Sequence, residues 1–159
     1  MKSTARVLGH PIHPMLIPYP FAFLSGAAAF NVAAAARGDE RLAQTARHLR
    51  AAGIVGALTA AVPGIVDYFG TVPAGKPRET ATFHALSNIT ALGLFAASAM
   101  TQRNGGRPGA GTLALELAGT VMLSIGGWLG GDLSYHHQIG VDPDERPAIG
   151  AVEQRRALR

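Results

Sequence analysis

Six histidines and the absence of cysteine define the chemistry open to this 159-residue chain. Without Cys there are no disulfides, thiolate zinc sites, iron–sulfur ligation or cysteine nucleophiles. Any metal must be held by His, carboxylate, Met or a cofactor. Neutral imidazole is the commonest protein ligand for transition metals, and a neighbouring carboxylate can ligate or fix its tautomer. The most specific local feature is His10-Pro11-Ile12-His13-Pro14. A Pro after each His disfavours α-helical backbone at both, which predicts an extended or turning lead that points two imidazoles over whatever follows Pro18 and Pro20. Further along come Asp67, Arg78, His84 with Asn88 one helical turn beyond it, and Asp132 followed by His136 and His137.

The elements that must position these residues are membrane helices. Charged residues make up 15% of the chain, against about 25% in soluble domains. The mean hydropathy is a modest +0.19 because Ala and Gly replace Leu and Ile, so the segregation of charge is the better evidence. Four nearly uncharged runs, 17–36, 51–69, 83–100 and 113–131, stand between polar connections. A crossing needs about 17–25 residues. The fold class expected is all-α, an integral membrane four-helix bundle with both termini on one side, formed by residues 1–141 with a polar tail over 142–159. A cleaved signal peptide is the rival for the first run, but that run is too long and its Pro- and His-rich lead is atypical. A soluble bundle would need a polar stripe on each helix, and charge does not recur at helical spacing in these runs. Small residues favour close helix approach in lipid: Gly126 with Gly130, Gly127 with Gly131, Ala60 with Gly64, and Gly26. Such Gly-rich faces could also pair copies of the chain.

An even number of crossings sends His10, His13, Asp67, His84, Asp132, His136 and His137 to the face that holds the termini, leaving His48 on the other. The candidate ligands are His10, His13, His84 and one or both of His136 and His137, with Asp67 as a further metal ligand and Asn88, Asp132 and Arg78 in support. The plainer readings are a wet interfacial lead, an interhelical hydrogen bond at His84 and Asn88, and a salt bridge between Asp67 and Arg78. Glu116 reads as an isolated helix-start carboxylate.

Taken together, Gly9-His10-Pro11-Ile12-His13-Pro14, Pro63-Gly64-Ile65-Val66-Asp67, His84-Ala85-Leu86-Ser87-Asn88 and Gly126-Gly127-Trp128-Leu129-Gly130-Gly131-Asp132-Leu133-Ser134-Tyr135-His136-His137 resemble a bacterial family known as domain of unknown function 2231. The resemblance covers nearly the whole chain. It implies a four-helix domain of the bacterial inner membrane with no assigned activity, in some longer proteins joined to Rieske-type or cytochrome-like redox domains. The recurrent polar positions correspond to His10, His13, Asp67, His84, Asn88 and His137. His136 stands where the family more often has a basic or other residue, so the resemblance favours His137 of the pair and implies His10, His13, His84 and His137 as the ligand set; Gln138-Ile139-Gly140-Val141 departs from the more usual Gly-Val-Gly-Val.

Three functions follow as expectations. The first is electron transfer through haem b, held by two opposed imidazoles, or through a transition metal (Cu, Fe or Zn) held by three or four donors. The second is a cofactor-free membrane subunit that docks a redox protein. The third is a small ion or proton transporter, which lacks the usual mark of charge at mid-membrane. No catalytic motif is recognised, and the arginines lack the platform of a nucleic-acid reader. Arg37, Arg41, Arg47, Arg50, Arg103 and Arg107 fall in two short connections, which inclines the histidine face towards the periplasm. Lys2, Arg6, Lys76, Arg78, Arg146 and the tail arginines oppose that assignment.

Overall fold

The computed structural model describes residues 1–102 and 106–141; the tail expected over 142–159 lies outside the described residues. Among them are four helices long and apolar enough to cross a membrane. Charge-poor runs become helices there because lipid offers backbone groups no partner but their own chain.

The first crossing is interrupted. A short α1 (Ile12–Leu16) leads through Ile17, itself helical in backbone, into α2 (Pro18–Arg37). Pro18 and Pro20 remove two N–H donors, yet Ile17 N–H reaches the His13 carbonyl at 3.3 Å and Phe21 N–H reaches that of Ile17 at 3.2 Å. The extended lead expected from the two His-Pro steps is present at His10 and absent at His13. His10-Pro11 forms β2, paired antiparallel with β1 (Arg6–Val7). His13 instead lies in the first turn of α1. Pro14 is tolerated beside it because first-turn N–H groups have no intrahelical acceptor to lose.

Helix α3 (Glu40–Gly70) begins well before the expected 51, because only Gly38 and Asp39 separate it from α2. Gly38 adopts the left-handed conformation that closes a helix (φ 66°). The Asp39 side chain then accepts from Arg41 N–H at 2.8 Å, capping the next helix at once. Arg41, Arg47, His48 and Arg50, expected in a connection, are therefore helical. Helices α4 (Lys76–Thr101) and α5 (Ala110–Tyr135) likewise outrun the apolar stretches that announced them.

The chain makes two helical hairpins, α2 with α3 and α4 with α5. Packing of α2 on α5 and of α3 on α4 closes them into a ring, with α3 and α5 across one diagonal. Leu24, Ala28, Ala91, Phe95 and Leu123 form the central cluster. Glycines allow the close approach. A Cβ added to Gly53 would stand 2.6 Å from the Leu24 side chain, and one added to Gly119 would stand 2.8 Å from Phe95. The Gly126/Gly130 face, expected to be available to a second copy, is occupied within the chain by Asn88 and His84. Gly127 meets Phe21, and Gly131 only Tyr135 of its own helix.

At the terminal face, Asp67 anchors the N-terminal segment. Its carboxylate accepts from Ser3 Oγ at 2.8 Å, Thr4 N–H at 2.8 Å, Ala5 N–H at 3.1 Å and Thr71 Oγ1 at 3.1 Å. Gly140 N–H donates to the Met1 carbonyl at 2.9 Å, placing both ends of the domain on one side. Asp67→Ala should release this segment at a cost of about 1.5–3 kcal/mol, the scale of hydrogen bonds to a charged acceptor. The expected readout is faster tryptic cleavage after Arg6 in detergent while the four helices persist; an unchanged rate would show that the segment is held by something else.

Candidate functional site

His13 and His84 are seated alike. His13 turns towards α3, where its Nδ1 is 2.7 Å from the Ala60 carbonyl. A Cβ on Gly64, one turn along α3, would approach its ring to 2.9 Å. His84 lies eight residues into α4, about 12 Å of helix, with Nδ1 2.8 Å from the Gly126 carbonyl. A Cβ on Gly130, one turn along α5, would approach its ring to 3.0 Å. A carbonyl can only accept, so each Nδ1 carries hydrogen, and in the neutral form of either ring the lone pair is on Nε2. That is the tautomer in which a histidine ligates through Nε2. The two half-buried rings lie with centroids 6.1 Å apart and planes at 87°.

Asn88 donates to the main-chain carbonyl of His84 at 2.8 Å, and its amide nitrogen is 3.4 Å from both ring nitrogens. It flanks the ring, as its place one turn along the helix predicts. The other expected members go elsewhere. His10 is exposed on β2, and Asp67 is taken up by the N-terminal segment. Arg78 donates to the Val72 carbonyl and lies 4.6 Å from the Tyr68 ring centroid, so it is no partner of Asp67. His137 and His136 both face Asp132, at 3.4 Å from Nε2 and 2.5 Å from Nδ1 respectively. Among the described residues, no group of three or more His, Asp or Glu is placed to hold a metal ion. The expected four-His set with Asp67 thus contracts to two imidazoles, because three of its members are drawn to partners of their own or to the exposed ribbon.

A second polar cluster lies nearer the opposite face, and sequence reasoning missed it. Arg50 Nη1 is 2.7 Å from Glu116 Oε1, with side chains 4% and 1% exposed. The same nitrogen reaches Ser98 Oγ at 3.2 Å and Gln102 Oε1 at 3.1 Å, while Asn31 Nδ2 donates to Glu116 Oε2 at 2.9 Å. Glu116 is therefore no isolated helix-start carboxylate, and Arg50, expected in a connection, is buried in the bundle. Charge thought to be missing from the bundle interior is present as a bonded pair. The available signal was Asn31, Arg50 and Glu116 themselves, polar residues within or beside apolar runs, where an ionisable group calls for a partner.

The chain matches the model of a family described as a predicted membrane protein, DUF2231, over residues 9–143. It belongs to that family. The match takes in both imidazoles of this DUF2231 chain, their carbonyl seats and the Arg50–Glu116 pair, and it supports the reading as an integral membrane protein. No curated protein and no solved structure matches it.

Proposed function

We propose that this DUF2231 protein is a membrane electron carrier that binds a redox-active group between His13 and His84. The observation that carries the reading is the matched seating of the two rings: each donates Nδ1–H to a backbone carbonyl and keeps Nε2 for a ligand. The ring centroids lie 6.1 Å apart, so one group could be held by both residues. A donor set of two imidazoles would suit haem b or a copper ion, with His13 and His84 as the residues that would hold it. Zinc and non-haem iron, which want three or four donors, are not favoured by it.

A haem iron or copper ion held there would supply one-electron chemistry. The chain's own residues set the ring tautomers, crowd the rings against Gly64 and Gly130, and flank His84 with the Asn88 amide. Electrons would pass to or from a redox protein at the terminal face, which we assign to the periplasmic side of a bacterial inner membrane. The expected result is a stoichiometric haem or copper signal, in oxidised and reduced absorption spectra with elemental analysis, on detergent-purified protein. His13→Ala and His84→Ala should each abolish it. Protein free of both groups after growth with haem and copper supplied would overturn this reading and leave a cofactor-free docking subunit.

A further inference from the structure

The two hairpins match in position at the residues that pack and bond inside the bundle. One constant offset relates His13 to His84, Pro20 to Ala91, Leu24 to Phe95, Ala27 to Ser98 and Asn31 to Gln102; a second relates Ala46 to Thr112, Arg50 to Glu116, Gly53 to Gly119, Ala60 to Gly126 and Gly64 to Gly130. The structure repeats the contacts as well as the spacing. Gly53 packs on Leu24 as Gly119 packs on Phe95. His13 bonds the Ala60 carbonyl as His84 bonds that of Gly126.

Contacts between the hairpins follow the same rule. Asn31 of the first bonds Glu116 of the second, and Gln102 of the second bonds Arg50 of the first. Exchanging the hairpins turns one of these contacts into the other, which is the signature of a twofold axis. Both hairpins run in the same sense through the bundle, so the axis lies along the membrane normal, as in parallel-repeat membrane folds. A contact that maps onto itself lies on the axis, and two pairs do so: His13 with His84, and Arg50 with Glu116.

At that second point, two identical hairpins would bring Arg against Arg or Glu against Glu inside the bundle. We propose that the domain is a fused pair of complementary hairpins, and that the surface around positions 50 and 116 is a recognition surface that accepts a hairpin carrying the opposite charge. Like charges, buried and desolvated, exclude self-pairing, the repulsive element that specificity commonly requires. The surroundings are neutral enough to serve either arrangement. Asn31 and Gln102 are amides, each able to donate or accept. Asn31 Oδ1 is buried without a hydrogen-bond partner among the described residues, ready to accept from an arginine at position 116.

This symmetry yields a test that does not depend on any bound group. Exchanging the charges gives the arrangement that the twofold rotation would generate from the parent pair. In the full chain, R50E and E116R should each cut the yield of monodisperse, membrane-extracted protein at least tenfold, and R50E/E116R should return it to within about twofold of the parent. A double exchange no better than the single variants overturns the proposal. So do single variants that match the parent. R50M/E116L, which keeps the bulk and removes both charges, shows whether the position tolerates change; folded protein there beside a failed double exchange places the failure in the charge arrangement. With neither charge present, self-pairing is no longer opposed, so R50M/E116L should also form oligomers by chain exchange in concentrated detergent solution.

Discussion

Glu116→Ala is expected to cost about 3–5 kcal/mol of stability, the range for a buried pair that loses one partner. Arg50 would keep its charge, because a guanidinium is not deprotonated in proteins, and it would stay packed among Ser98, Gln102 and the helix backbones. Asn31 Nδ2 would lose its acceptor at the same time. Thermal unfolding followed by circular dichroism in detergent, or titration with a denaturing detergent, reads the loss directly. The neutral double variant R50M/E116L should regain most of it, since removing both charges also removes their desolvation. Full stability in Glu116→Ala would mean that the pair is solvated, contrary to its burial.

Glycine substitutions rank next in expected effect, and they separate two positions that symmetry makes equivalent. At Gly53 an added Cβ would meet both the Leu24 side chain and the Leu24 backbone nitrogen, the latter at 3.1 Å. At Gly119 it would meet the edge of the Phe95 ring at 2.8 Å, while the nearest backbone atom, the Ala91 carbonyl oxygen, is 3.5 Å away. A ring can turn aside, whereas a backbone moves only with its helix. Gly53→Leu should therefore cost about 3 kcal/mol, the upper end for overpacking, and Gly119→Leu somewhat less. Gly93, with nothing within 4 Å of an added Cβ, is the control; Gly93→Ala should be neutral or stabilise by up to about 1 kcal/mol through helix propensity. Equal losses at all three positions would show that helix flexibility, rather than interhelical distance, is what these glycines provide.

The four crossings were legible in the sequence because lipid makes length and lack of charge nearly sufficient for a membrane helix. Their ends were less so. The stretch from Glu40 to Arg50 carries charge on an Ala-rich backbone, and only the Gly38-Asp39 closure and the partner waiting at Glu116 explain why it is helix rather than connection. Both residues of the candidate site stood among the five histidines singled out by type and face. Which two would meet depended on where Asp67, Asp132 and the β1–β2 ribbon drew the others, a matter of tertiary partners that spacing does not encode. The Ala60/Gly64 and Gly126/Gly130 pairs were visible as packing motifs. Their equivalence was hidden because the repeat preserves size and place more than residue type: Leu24 answers to Phe95, and Arg50 to Glu116.

The seats of the two imidazoles make their separation a gauge of one distance in the bundle. His13 is referenced to α3 through the Ala60 carbonyl, and His84 to α5 through that of Gly126, so the rings ride on the two helices of one diagonal. About 15 Å away along the same helices, Arg50 and Glu116 pin that diagonal together. One end of the gap is clamped by charge, and the other ends in two rings with no clamp of their own. A change that spreads α3 from α5 at the pinned end would therefore register as a change in ring spacing at the open one, and a group gripped by both rings would close the same gap from the opposite side.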